Sequence, residues 1–205
     1  MASFWQAIAK EFSTFKNIYG YGLMNEPHDL APETKWFDMA QASINAIREV
    51  DTNTLIMVGG NDWSSAERWI EQSDTLKFLK DPANNLAFEA HVYFDKDASG
   101  TYKYSYEEEE CYPEKGIDRV KPFVEWIKQN KFHGFIGEYG IPDNDPRWNE
   151  TLDLFLGYLQ ENGINGTYWA AGPWWDTYFM AITPKDGKDR PQMPIIEKYT
   201  STLKK

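Results

Sequence analysis

The chain has 205 residues, of which 41% are hydrophobic and 16% aromatic, so it can bury a sizeable core within one domain. Its net charge of −11 argues against nucleic acid and anionic membranes as partners, because an acidic surface repels polyanions, and it leaves a neutral polymer as an easy partner. Cys111 is the single cysteine, which excludes an intrachain disulfide. No signal peptide and no apolar stretch long enough for a membrane helix is visible.

Helical and strand patterns alternate along the chain. Helical spacing of apolar residues predicts helices at about Phe4–Phe15, Lys35–Val50, Ser64–Leu79, Ile117–Gln129, Pro146–Glu161 and Pro194–Leu203. Short apolar runs predict strands at about Ile18–Met24, Leu55–Gly59, Leu86–Tyr93, Gly134–Glu138 and Gly166–Ala170. This alternation is typical of βα units around a parallel sheet, and the absence of linkers or repeats predicts a single domain over residues 1–205.

Two of these apolar runs end on a glutamate. Glu26 stands in the run Gly22–Pro27 and Glu138 in the run Phe135–Gly140, each next to a Pro or Gly break. Parallel strands share one C-terminal end, where barrel enzymes place their sites, so the two carboxylates are candidates for a catalytic pair. Glycoside hydrolysis is the chemistry that most often requires such a pair. The alternative is that each glutamate is a strand-end charge facing solvent or an arginine.

Further polar and aromatic side chains fall at the same strand ends. Asn25 precedes Glu26, and His91 and Tyr93 share one strand face because side chains alternate with a period of two. Trp169 lies near the end of the last predicted strand. Taken singly, His91 fits a hydrogen-bonded core histidine and Trp169 fits simple packing. They become candidates for the site only together with the other strand-end residues.

The ordered set Met24-Asn25-Glu26-Pro27, His91-x-Tyr93, Gly137-Glu138-Tyr139-Gly140 and Trp169 resembles glycoside hydrolase family five, and within it the endoglucanases. The resemblance implies a retaining mechanism on a (β/α)8 barrel, with Glu26 as general acid/base and Glu138 as nucleophile. It further implies that Asn25 binds the sugar 2-hydroxyl, Tyr93 hydrogen-bonds Glu138, His91 lines the same subsite and Trp169 forms its floor. No cofactor and no metal is implied, and the family implies an extracellular location.

Aromatic residues on the loops are candidates for stacking on sugar rings. Trp63, Trp174 and Trp175 follow predicted strands on the site side, whereas four other tryptophans lie in helical patterns and are expected in the core: Trp5, Trp36, Trp69 and Trp126.

Two acidic segments require separate interpretations. The segment 95–100 imitates the opening of a calcium loop, but Tyr106 stands where a bidentate glutamate is required, so a substrate-lining loop is favoured over calcium. The run Glu107–Glu110 is interpreted as a solvated helix start or loop.

The pattern predicts strands four to eight of a barrel, an incomplete (β/α) architecture of about five strands. Such a sheet would present two unpaired edges, so we expect copies to associate as a homo-oligomer, or an N-terminal fragment to complete the barrel. The expected substrate is a β-1,4-glucan polysaccharide or cello-oligosaccharide, cleaved internally. The alternatives are a β-mannanase or mixed-linkage glucanase, and a catalytically weak carbohydrate-binding remnant.

Overall fold

The computed structural model describes residues 1–31 and 35–200, with strands and helices in alternation. The strands are β1 (Gly20–Gly22), β2 (Leu55–Gly59), β3 (Leu86–His91), β4 (His133–Tyr139) and β5 (Asn165–Tyr168). The helices are α1 (Ala2–Phe12), α2 (Trp36–Arg48), α3 (Asn61–Ser64), α4 (Trp69–Ser73), α5 (Lys115–Asn130), α6 (Arg147–Glu161) and α7 (Met193–Tyr199). Short 3₁₀ segments lie at Asp74–Phe78 and Pro173–Trp175.

The strands form one sheet in the order β1-β2-β3-β4-β5, which is the chain order. β1 pairs parallel with β2, with Tyr21 opposite Ile56, and β2 pairs parallel with β3, with Met57 opposite Ala87. Helical segments separate successive strands, as crossover connections of parallel strands require. The predicted β/α order is therefore confirmed.

The described residues group into two compact units. The first holds the residues described within Met1–Ala90 together with Pro122–Phe135, and the second holds His91–Lys121 and the described residues from Ile136 onward. The prediction of a single domain stays a prediction. None of the helices in 1–31 and 35–200 is long and apolar enough to cross a membrane.

Each unit has an aromatic core. In the first unit the ring of Trp69 packs edge-on against Phe123 at 4.7 Å, and Phe88 packs edge-on against Trp126 at 5.0 Å. The expected core positions of Trp36, Trp69 and Trp126 are thus confirmed by their burial, whereas Trp5 is only half-buried.

In the second unit a separate cluster of rings fills the core. Trp148 lies 5.0 Å from Tyr102 and 4.7 Å from Tyr106, and Phe155 lies 5.2 Å from Phe94. Each unit therefore buries large apolar area by itself, which is the main favourable term in folding.

Three predicted elements are wrong in extent. The helix predicted over Ser64–Leu79 is broken, because three consecutive left-handed residues at 62–64 turn the chain and α4 begins only at Trp69. The first strand spans only Gly20–Gly22 and is shorter than predicted; just beyond it the carbonyl of Leu23 accepts the indole N–H of Trp5 at 3.1 Å. The last helix ends at Tyr199, and part of its predicted extent lies outside the described residues.

The prediction that Glu107–Glu110 is solvated is wrong for Glu109, which is only 2% exposed. Its carboxylate accepts the backbone N–H groups of Lys96 and Tyr104 at 2.8 and 2.9 Å, so it ties two parts of the loop after β3 together. A buried carboxylate needs such partners, because an unpaired charge is costly to remove from water. The other three glutamates of the run are exposed.

Candidate active site

In the second unit the carboxyl group of Glu138, near the end of β4, meets two side chains from β3 and its C-terminal extension. The Tyr93 hydroxyl donates a hydrogen bond to Glu138 Oε2 at 2.8 Å, and His91 Nδ1 lies 3.6 Å from the same oxygen. The Glu138 side chain is 14% exposed, so it is largely buried and still open to a ligand. The structure thus brings together three of the residues predicted for the site.

The register of β3 against β4 produces this geometry. The Val92 N–H donates to the carbonyl of Glu138 at 3.0 Å, so residues 91 and 93 flank that pairing point. Because neighbouring side chains on an extended chain alternate, His91 and Tyr93 both reach the Glu138 side.

Electrostatics fix Tyr93 as a proton donor. Burial and the negative charge of Glu138 raise the pKa of Tyr93, so the phenol keeps its proton at any working pH. A hydrogen bond that is donated to the ionised form of a carboxyl group favours that form. The contact therefore favours a charged Glu138, which a nucleophile requires.

An aromatic group follows β5. Trp169 donates its backbone N–H to Tyr139 at 2.9 Å, and its ring lies 5.0 Å from that of Trp175, which lies 5.0 Å from Tyr178. The peptide bond between Trp169 and Ala170 is cis. Trp174 is 88% exposed and points away from packing, whereas Trp169 and Trp175 are half-buried.

Tyr178 is a site residue that the sequence analysis missed. Burial raises its pKa, as does the charge of Glu138, while a hydrogen bond with Trp169 opposes the rise. The ring of Tyr178 packs against Trp175, which in turn packs against Trp169, so the phenol belongs to the aromatic group after β5. It lies beyond any strand end, so the only sequence signal was its place in the aromatic loop 174–179.

Arg190 holds this aromatic loop. Its guanidinium pairs with Asp143 at 2.7 Å and donates to the carbonyl oxygens of Asp176 and Tyr178, each at 3.3 Å. One side chain thereby links the loop after β4 to the loop after β5, and it fixes the backbone that carries Tyr178.

In the first unit, Asn25 and Glu26 lie three and four residues beyond the end of β1. Asn25 is exposed and Glu26 is half-buried. Trp63 is 46% exposed, and its ring stacks on His28 with centroids 3.2 Å apart and an angle of 13° between the planes. His28, which the sequence analysis did not select, follows Pro27 in the same run as Glu26, and that adjacency was its only signal.

Backbone strain collects around these residues. Glu26 has φ of 45°, Asp29 of 46°, and the segment 62–64 has φ between 53° and 60°. A non-glycine residue in the left-handed region costs on the order of 1 kcal/mol, and such outliers cluster at functional sites. This strain accompanies the predicted site residues Glu26 and Trp63, and left-handed residues also occur in turns elsewhere, as at Asn84 and Lys131.

The segment that imitates a calcium loop is closed by Asp95. The buried Asp95 carboxylate accepts the N–H groups of Gly100, Thr101 and Tyr102 at 3.1, 2.9 and 3.2 Å, and the Ser99 hydroxyl at 3.2 Å. Its oxygens are directed at donors of its own loop, so the residue works as a loop cap in the described structure.

The family model for cellulase, glycosyl hydrolase family 5, matches residues 1–174. The chain belongs to glycosyl hydrolase family 5. It is 36% identical over 190 residues to endo-beta-1,4-glucanase B of Emericella nidulans, covering 90% of this chain and 55% of that protein. The chain thus spans about half the length of this curated family 5 relative.

Solved structures of the family share the fold. The endoglucanase Cel5A of Pseudomonas stutzeri in complex with cellobiose has a TM-score of 0.89 and 44% identity, covering 97% of this chain and 59% of that one. XacCel5A in complex with cellopentaose has a TM-score of 0.87 and 38% identity, covering 97% and 64%. The predicted fold class, an incomplete (β/α) barrel architecture of five parallel strands with flanking helices, is confirmed.

Proposed function

We propose that this chain carries the catalytic pair of a retaining endo-β-1,4-glucanase, with Glu138 as nucleophile and Glu26 as general acid/base. The observation that carries the proposal is the 2.8 Å hydrogen bond from Tyr93 to Glu138, because it favours the ionised carboxylate at the end of a barrel strand. Family membership and the endoglucanase names of the relatives support the same reaction.

The mechanism has two displacements. Glu138 attacks the anomeric carbon as Glu26 protonates the departing glycosidic oxygen, which forms a glycosyl–Glu138 ester and releases the leaving chain. Water, deprotonated by Glu26, then attacks the same carbon and frees Glu138. This chemistry requires the two carboxyl groups to lie about 5 to 5.5 Å apart, which is a condition that the proposal places on the pair.

The remaining predicted residues receive binding roles. Asn25 holds the 2-hydroxyl of the attacked sugar, His91 lines that subsite and Trp169 forms its floor. An indole face stacks on the flat C–H face of a sugar ring, so Trp169 and the neighbouring Trp175 suit a pyranose platform. The exposed rings of Trp63 and Trp174 are proposed contacts of sugar units farther along the chain.

The substrate is proposed to be β-1,4-glucan or its oligosaccharides. The bound molecules of the structural neighbours, cellobiose and cellopentaose, are fragments of such a polymer, and the relatives' names favour glucan over mannan. Association of copies through the outer strands β1 and β5, or with a complementing fragment, stays a prediction that light scattering tests. The extracellular location also stays a prediction.

The test is release of reducing sugar from carboxymethylcellulose by the purified chain. We expect release by the wild type and by Glu71→Gln, an exposed carboxyl on α4, and none by Glu26→Gln. Retention on a glucan affinity gel without release by any of the three would instead support the carbohydrate-binding remnant. Faster release from mannan than from carboxymethylcellulose would overturn the substrate assignment.

A further inference from the structure

We propose that the loop closed by Asp95 is a positioning device for Tyr93, and that Gly100 is the point at which it presses on the Tyr93 ring. The inference rests on the proposed nucleophile role of Glu138, because the loop serves catalysis only by directing the Tyr93 hydroxyl at that carboxylate. Gly100 and Asp95 touch no substrate in this proposal and act only through Tyr93.

Gly100 lies close against the Tyr93 ring. A Cβ atom at Gly100 would lie 3.0 to 3.1 Å from three carbon atoms of the Tyr93 ring, which is tighter than almost all real Cβ contacts. The glycine also has φ of +73°, a conformation that side chains rarely adopt. The backbone at Gly100 therefore packs directly against the Tyr93 ring and forms one wall of the space that the ring occupies.

The Asp95 carboxylate holds the backbone at Gly100 in place. The buried Asp95 carboxylate gathers the backbone N–H groups of residues 100–102, so the loop folds back upon the residue that starts it. Hydrogen bonds from N–H groups to a carboxylate are strong. Breaking them would leave a buried carboxylate without partners, which is costly, so the loop conformation is held firmly.

Tyr102 connects this loop to the end of β4, the strand that carries the proposed nucleophile. Tyr102 donates its hydroxyl to the carbonyl of Gly140 at 2.6 Å and accepts the N–H of Phe94 at 2.9 Å. Its ring packs edge-on against Tyr93 with centroids 6.5 Å apart. The Tyr102 hydroxyl thus links Phe94, next to Tyr93, to Gly140, two residues after Glu138. This link holds the two segments at a fixed spacing, and with it the distance from the Tyr93 hydroxyl to the Glu138 carboxylate.

The test measures the titration of the Glu138 carboxyl by NMR of protein labelled at the glutamate carboxyl carbon, with Glu138→Gln assigning the signal. We expect Tyr93→Phe to move the midpoint upward by about one pH unit, because a donor to the charged form is lost. Gly100→Ala should move it upward by at least half as much, and the double variant no further than Tyr93→Phe.

The matched control is Gly187→Ala. Gly187 has φ of +72°, almost the same as Gly100, but nothing lies within 4 Å of an added Cβ, so the variant carries the strain without the contact. We expect the wild-type midpoint. The other groups of the second unit that act on Glu138, His91 and Tyr178, are unchanged in all of these variants, as is the proposed acid/base Glu26.

A second variant covers the case in which Gly100→Ala fails to fold. Asp95→Asn removes a negative charge, which by itself would lower the midpoint of a neighbouring carboxyl, whereas a loosened loop raises it. We expect a rise, and the opposite sign would contradict the proposal.

The result that overturns the inference is a wild-type midpoint in folded Gly100→Ala, or a double variant shifted beyond Tyr93→Phe. The NMR measurement requires no turnover, so it separates the two proposals. The expected midpoints with no hydrolysis would reject the proposed function alone, and hydrolysis with unshifted midpoints would reject the positioning device alone.

Discussion

Asp51 in the first unit and Glu138 in the second are buried carboxylates with different kinds of partners. Asp51 accepts hydrogen bonds from the N–H groups of Asn53 and Thr54 and from the Thr54 hydroxyl, all within three residues, besides the Tyr21 hydroxyl at 2.9 Å. The described contacts of Glu138 come from Tyr93 and His91, more than 40 residues away. Three of the four donors to Asp51 belong to its own turn and tie it to the fold, whereas the described partners of Glu138 are two side chains from β3 and its extension, an arrangement that suits a carboxylate taking part in chemistry.

The largest effect is expected at Glu138. Replacing it by Gln should lower kcat at least about 1,000-fold, equivalent to about 4 kcal/mol of transition-state stabilisation, because the amide cannot attack the anomeric carbon. The free energy of unfolding, measured by urea titration, should change by less than about 1 kcal/mol. Full activity of Glu138→Gln, or a loss of its stability without a loss of activity, would contradict the distinction drawn between Glu138 and Asp51.

The next effect is expected at Asp51, and it falls on stability. Burial alone would raise the pKa of Asp51, but its hydrogen bonds from Thr54, Asn53 and Tyr21 outweigh that and lower it to about 2. The stabilisation is therefore present above pH 4 and is lost as the pH falls toward 2, and we expect Asp51→Ala to cost about 2 to 3 kcal/mol at pH 7.

The check is urea unfolding of Asp51→Ala between pH 2 and 7, beside the exposed control Asp189→Ala. The Asp51 variant should show a weaker dependence of unfolding free energy on pH below 4 than the wild type. Equal slopes for all three proteins would show that Asp51 does not carry the acid sensitivity.

The smallest effect is expected at Trp174, which is exposed and makes a contact only with ligand in our proposal. Trp174→Ala should weaken cellopentaose affinity about 3- to 10-fold, close to 1 kcal/mol, with stability unchanged. Calorimetric titration measures it, and Tyr104→Ala, which removes another exposed ring of the second unit, serves as the control. An equal loss in both variants would show a general effect of removing surface aromatics.

The sequence signal for the strand-end residues is local. An apolar run that stops at Pro or Gly marks a buried strand, and its last polar residues must lie at one edge of a parallel sheet. That reasoning selects Glu26, Glu138, His91, Tyr93 and Trp169, and the structure brings Glu138, His91 and Tyr93 together in the second unit.

Other features depend on tertiary contacts that no local pattern contains. The break at 62–64, the burial of Glu109 and the site residue Tyr178 each arise where a loop meets a distant segment. Asp95 shows the limit most clearly, because its spacing imitates an ion-binding loop while its oxygens accept the loop's own N–H groups.

Among the nine tryptophans of this chain, three bond to the fold through the indole N–H. Trp5 and Trp36 donate to the carbonyls of Leu23 and Gly59, and Trp126 donates to Asp74, so these rings are part of the fold's own bonding. Tryptophan fluorescence will consequently report unfolding far more strongly than sugar binding. In our proposal a minority of the tryptophans contacts ligand: Trp63, Trp169, Trp174 and Trp175.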